Sequence, residues 1–97
     1  MKVVWTDTAL LDLESISEFV TANYPAVAPA LERRLRKVVA RIGRWPHGAR
    51  TVAGRPGVHV VPLGRYPYRV FYRITPTAVE ILHVHHAARY PWEDEAG

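Results

Sequence analysis

The hydrophobic period of this chain changes once along its length, and that change limits it to a few α+β architectures. Between residues 9 and 42 apolar side chains recur at helical spacing, whereas from 58 to 86 they fall into short β-rich runs bounded by turn residues. Ala9, Leu13, Ile16 and Val20, with Phe19 beside them, make one stripe, and Leu31, Leu35, Val38 and Ile42 make a second. Asn23, Tyr24 and Pro25 break the two apart, so the pattern predicts an antiparallel helical hairpin. Thr6 or Asp7 supplies the first N-cap, with the helix running to about residue 21. Pro25 and Pro29 place the start of the second helix near residues 26–27, and Gly43 should end it.

Strands are expected at 2–5, 51–53, 58–63, 68–74 and 79–86, with turns at 54–57 and 64–67. Trp45, Pro46, His47 and Gly48 turn the chain from helix into extended structure. Pro62 has no N–H for a ladder, so it belongs at a strand end, an edge or a bulge. The order is β-α-α-β-β-β-β, a small and mainly antiparallel sheet covered on one face by the hairpin. Ninety-seven residues, nearly half of them hydrophobic, suit a single domain at 1–90, followed by a short acidic tail at 91–97 that holds Glu93, Asp94 and Glu95. Of the three tryptophans, Trp5 and Trp45 are expected in the core, and Trp92 lies close to the tail.

There is no cysteine, hence no disulfide framework and no thiolate metal site. Asp7 and Asp12 interrupt the opening residues, which lack the apolar run of a signal peptide, and no segment approaches membrane-spanning length. A cytoplasmic protein without a membrane partner is expected. Charge is distributed unevenly: from residue 33 to 73 there are eleven Lys or Arg and no acid, whereas the first 32 residues hold five acids and one base, Lys2. Such a block attracts nucleic acid or an acidic protein. Arg33, Arg34, Lys37 and Arg41, with Arg36 and Arg44, fall on the second helix, where i to i+4 spacing gathers some of them opposite the apolar stripe; Arg50, Arg55, Arg65 and Arg73 extend the block.

On the strand at 68–74, Arg69, Phe71 and Arg73 share one face, and Tyr68, Val70, Tyr72 and Ile74 the other, so one face can close a core while the other meets an anion. Arg73 also stands where Glu80 could pair with it across a hairpin. His83 and His85, two apart on a strand, share a face and could hold a metal, but no third ligand is evident and no metal site is assigned.

In this order, Ala9-x-x-Asp12-Leu13-x-x-Ile16, Pro46-x-Gly48, Tyr68-Arg69-Val70-Phe71-Tyr72-Arg73, Val79-Glu80-Ile81-Leu82 and His86-x-x-Arg89 resemble the RelE/ParE superfamily of bacterial type II toxin–antitoxin toxins over nearly the whole chain. The resemblance implies a cofactor-free toxin that arrests growth and is neutralised by a cognate antitoxin in a hetero-oligomer. It also implies one of two targets. The hairpin and Phe71-Tyr72-Arg73 look closer to the ParE-like branch, which inhibits DNA gyrase. The alternative is a RelE-like, metal-independent and ribosome-dependent mRNA endoribonuclease. Arg69, His86 and Tyr90 sit where related ribonucleases carry a phosphate-binding Arg and acid/base residues, and Arg89 would join Arg69 in stabilising phosphorane charge. The chain departs from RelE in lacking its lysine-rich segment, since between Gly48 and Arg65 the basic residues are Arg50 and Arg55 alone.

Overall fold

A computed structural model describes residues 1–88. The elements are β1 (Val3–Trp5), α1 (Asp7–Asn23), α2 (Ala28–Arg44), a 3-10 turn (Pro46–Gly48), β2 (Arg50–Thr51), β3 (Val58–Leu63), β4 (Tyr66–Ile74) and β5 (Val79–His86). The order is the expected one. The five strands form one sheet in the order β1-β5-β4-β3-β2, with β1 parallel to β5 and every other pair antiparallel. The expected tail at 91–97 lies outside the described residues, as do Arg89, Tyr90 and Trp92.

Thr6 joins three elements at one point. Its hydroxyl accepts the Ala9 N–H as the N-cap of α1 and donates to the Ile81 carbonyl at 2.8 Å, and its own N–H bonds the same carbonyl. β1 thus ends against β5 where α1 begins. The helices then lay their stripes on the sheet: Ala9 and Val20 from α1 and Leu31 and Ile42 from α2 enter one core with Leu63, Tyr68, Val70, Tyr72, Val79, Ile81 and Val84. Tyr72 is wholly buried in that core, and its hydroxyl donates to the Pro46 carbonyl, fixing the 3-10 turn to β4.

Several expectations shift in detail. Gly43 does not end α2, which continues to Arg44; a Cβ there would stand 3.1 Å from both the Met1 carbonyl oxygen and a Val3 methyl, so the glycine serves the close approach of the first strand. α1 runs two residues further than expected. The turn before β4 shortens to Gly64-Arg65, with Leu63 paired to Tyr66 and Gly64 at φ 64°. Pro62 sits at a register shift between β3 and β4, as a strand proline requires. Phe19 is exposed rather than joining the stripe.

The face of β4 opposite the helices is not simply open. Phe71, 1% exposed, forms a second small core with Val52, Val60 and Val58, because the segment after β2 folds over it. Arg69 is half-buried and Arg73 exposed on this face.

Removing the Tyr72 hydroxyl isolates the Pro46 carbonyl. In urea denaturation Tyr72→Phe should cost about 1–3 kcal/mol, and Tyr72→Ala, which also leaves a cavity, about 3–5 kcal/mol.

Candidate functional site

α2 divides its surface between two kinds of chemistry. The stripe Leu31, Leu35, Val38 and Ile42 faces the sheet, while Arg33, Arg34, Arg36, Lys37, Arg41 and Arg44 are exposed. Arg36 pairs with Glu32 one turn earlier, and Arg34 lies over the β3–β4 turn, its guanidinium carbon 3.2 Å from where a Cβ on Gly64 would be. Arg41 and Arg44 lie at the C-terminal end, where their charge also suits the helix dipole.

There α2, the 3-10 turn and β3 enclose a groove of about 900 Å³. Arg41, Arg44 and Arg50 bring cations to it, and Trp45, His47 and Tyr72 bring rings. Trp45 does not join the core as expected: as the C-cap residue of α2 it stands at the rim, 59% exposed, with the Arg44 guanidinium 5.3 Å from its ring centre. Behind the groove His59 stacks on Tyr72 at 5.1 Å and bonds the Ala49 carbonyl through Nδ1. Burial raises the Tyr72 phenol above its usual value, the Ala49 backbone opposing it, so the phenol stays protonated. Cations beside an exposed indole suit a backbone phosphate with a stacked base, or an acidic protein surface.

Of the other expected contacts, Arg73 donates through Nε to Glu80 at 2.7 Å, the cross-hairpin pair anticipated from sequence. Arg55 is half-buried, and Arg50 and Arg65 are exposed. Arg69 is in register with His85 and His86 with Tyr68, so the Arg69 and His86 side chains point to opposite faces of the sheet. His86 meets the Tyr68 ring edge-on at 5.4 Å and accepts the Ala88 N–H through Nδ1.

A second groove, of about 400 Å³, runs between α1 and α2 over Leu13, Ile16, Val20, Leu31, Leu35 and Tyr68. Leu10, Leu11 and Phe19 add exposed apolar surface on α1.

The His83–His85 pair gains a neighbour that the sequence did not reveal. Asp12, on α1, reaches the outer edge of β5, where its Oδ2 lies 3.2 Å from His83 Nδ1, accepts the Val84 N–H at 3.1 Å and is 3.8 Å from His85 Nε2. Burial holds the His85 imidazole below its ordinary value, His83 pushing the same way and Asp12 opposing. The available signal was an acid beside Leu13, inside the stripe of Ala9 and Ile16.

A small mixed sheet thus lies under a helical hairpin, with a cationic groove at the end of α2 and an apolar one between the helices. The chain belongs to the family of the ParE toxin of the type II toxin–antitoxin system parDE, whose model matches residues 3–91. It is 32% identical over 89 residues to "Toxin RelE2" of Caulobacter vibrioides, covering 91% of this chain and 97% of that protein. In fold it is similar to a chain of the chromosomal ParDE toxin–antitoxin system from P. aeruginosa, with a TM-score of 0.76 and 24% identity over 89% of this chain and 95% of that one.

Because Trp45 is exposed, Trp45→Ala should change stability by under about 0.5 kcal/mol in thermal unfolding. The double replacement Arg41→Glu and Arg44→Glu should elute from heparin at lower salt, and for duplex DNA should lower the salt slope by about 0.9 per lost phosphate contact.

Proposed function

We propose that this toxin acts by inhibiting DNA gyrase, in the bacterial cytoplasm, and that a cognate antitoxin neutralises it in a hetero-oligomer. The observation that carries this reading is the separation of Arg69 from His86. Cleaving RNA through its 2′-hydroxyl calls for a base, an acid and a cation converging on one phosphate. Among the described residues, Arg69 and the His86 imidazole are on opposite faces, and His86 is engaged with Tyr68 and Ala88. A gyrase inhibitor needs no such convergence; it needs a surface that fits the enzyme or the DNA it holds. The outward bases of α2 and the groove of Arg41, Arg44 and Trp45 supply one.

The apolar groove between the helices suits the antitoxin, whose segment would bury apolar side chains against Leu13, Ile16 and Leu35 while its acidic residues meet the bases of α2. Among the described residues no helix is long and apolar enough to cross a membrane, which fits a target inside the cell. The name of the C. vibrioides relative points to the ribonuclease branch instead, so the test separates the two.

Induced expression should switch on the SOS response and filamentation within minutes while transcripts stay intact, and the purified toxin should block gyrase supercoiling. His86→Ala should keep this activity, and Arg41→Glu with Arg44→Glu should lose most of it. Rapid ribosome-dependent loss of mRNA, abolished by His86→Ala or Arg69→Ala in a folded protein, would establish the ribonuclease reading in its place.

A further inference from the structure

We propose that Asp12, His83 and His85 form a binding site for one divalent transition-metal ion of the zinc type, at the outer edge of β5. Each residue offers one ligand atom, and the three atoms lie within 4.8 Å of one another. In a tetrahedral shell with bonds of about 2.0–2.2 Å, neighbouring ligand atoms stand roughly 3.3–3.6 Å apart. The 3.2 Å from Asp12 Oδ2 to His83 Nδ1 and the 3.8 Å to His85 Nε2 bracket that spacing to within a few tenths of an ångström.

The backbone prepares the site in two ways. His83 and His85 are two apart on β5 and so share a face, with ring centres 4.4 Å apart. The Val84 N–H between them points at the outer edge and donates to the same Asp12 oxygen, orienting the carboxylate as an outer-shell donor does in known metal sites. All three side chains are partly covered, with 13–29% of their surface exposed, so an ion could enter yet be shielded from part of the solvent.

The donor set of two imidazoles and one carboxylate suits Zn²⁺, Co²⁺ or Ni²⁺ over Mg²⁺ or Ca²⁺. Three protein ligands leave at least one position for water or an oxyanion. The site straddles the edge of β5, with His85 in register with Arg69 and its ring 5.6 Å from that of Phe71. It neither rests on nor alters the gyrase reading.

The test uses the full-length, tag-free chain stripped with a chelator. Zn²⁺ titrated in competition with a chromophoric chelator should bind one ion per chain at micromolar affinity or tighter, and Co²⁺ should give a d–d absorption band that Zn²⁺ abolishes. His85→Ala and Asp12→Asn should each weaken binding at least about ten-fold, while His47→Ala leaves it unchanged. Asp12 also holds the Val84 N–H, so Asp12→Asn could lose the fold; Zn²⁺-induced shifts of the His83 and His85 imidazole signals in the unaltered protein provide the independent readout. Absence of saturable binding, binding that survives His85→Ala, or perturbation of His47 in place of His83 and His85 would overturn the proposal.

Discussion

β5 must have both its edges satisfied, and the rest of the fold is arranged to do this. One edge pairs along its length with β4. The other meets β1, which is three residues long and reaches only Ile81. Beyond that point the outer backbone groups need partners, since a partly buried N–H left alone costs as much as a lost hydrogen bond. Thr6 closes the junction and starts α1 in the same residue, and one turn and a half later Asp12 takes the Val84 N–H. The helical hairpin therefore covers the core and also finishes the outer edge of β5 beyond the end of β1. Parallel pairing of β1 with β5 follows, because the chain crosses the sheet through the hairpin and returns through β2, β3 and β4 before β5 takes its place between β4 and β1.

Most of the architecture was legible because each element carries its own period. Ala9, Val20, Leu31 and Ile42, called to the core by helical spacing, are all buried, and the alternation at 68–74 sorted Tyr68, Val70 and Tyr72 from Arg69 and Arg73 correctly. What failed were readings that treated a residue type as a role. Gly43 looks like a helix terminator, yet its lack of a side chain serves a contact with the first strand, 40 residues away in sequence. Trp45 looks like a core residue, yet the Tyr72–Pro46 hydrogen bond draws the following turn against the sheet and leaves the indole at the rim. Both outcomes depend on contacts between distant segments, which local pattern does not encode.

The site was less legible than the fold for a related reason. The basic block was visible as composition, but the meeting of Arg41, Arg44 and Arg50 at one groove depends on where α2 ends relative to β2 and β3. His83 and His85 were recognisable as a pair; their carboxylate neighbour lies 71 residues earlier and is brought to them only by the packing of α1. The expected grouping of Arg69 with His86 came from the resemblance, and strand register places the two on opposite faces.

The two-sided chemistry of α2 has an evolutionary consequence. Its inward stripe is tied to the core, where a truncation costs several kcal/mol, about 2–5 for a leucine, so that side is held fixed. Its outward side chains are exposed, and exchanges there cost within about 0.5 kcal/mol. A lineage can therefore redraw the charge pattern of this face while the scaffold beneath stays the same. Divergence of surface charge on one fixed frame is the outcome such an uneven distribution of mutational cost favours.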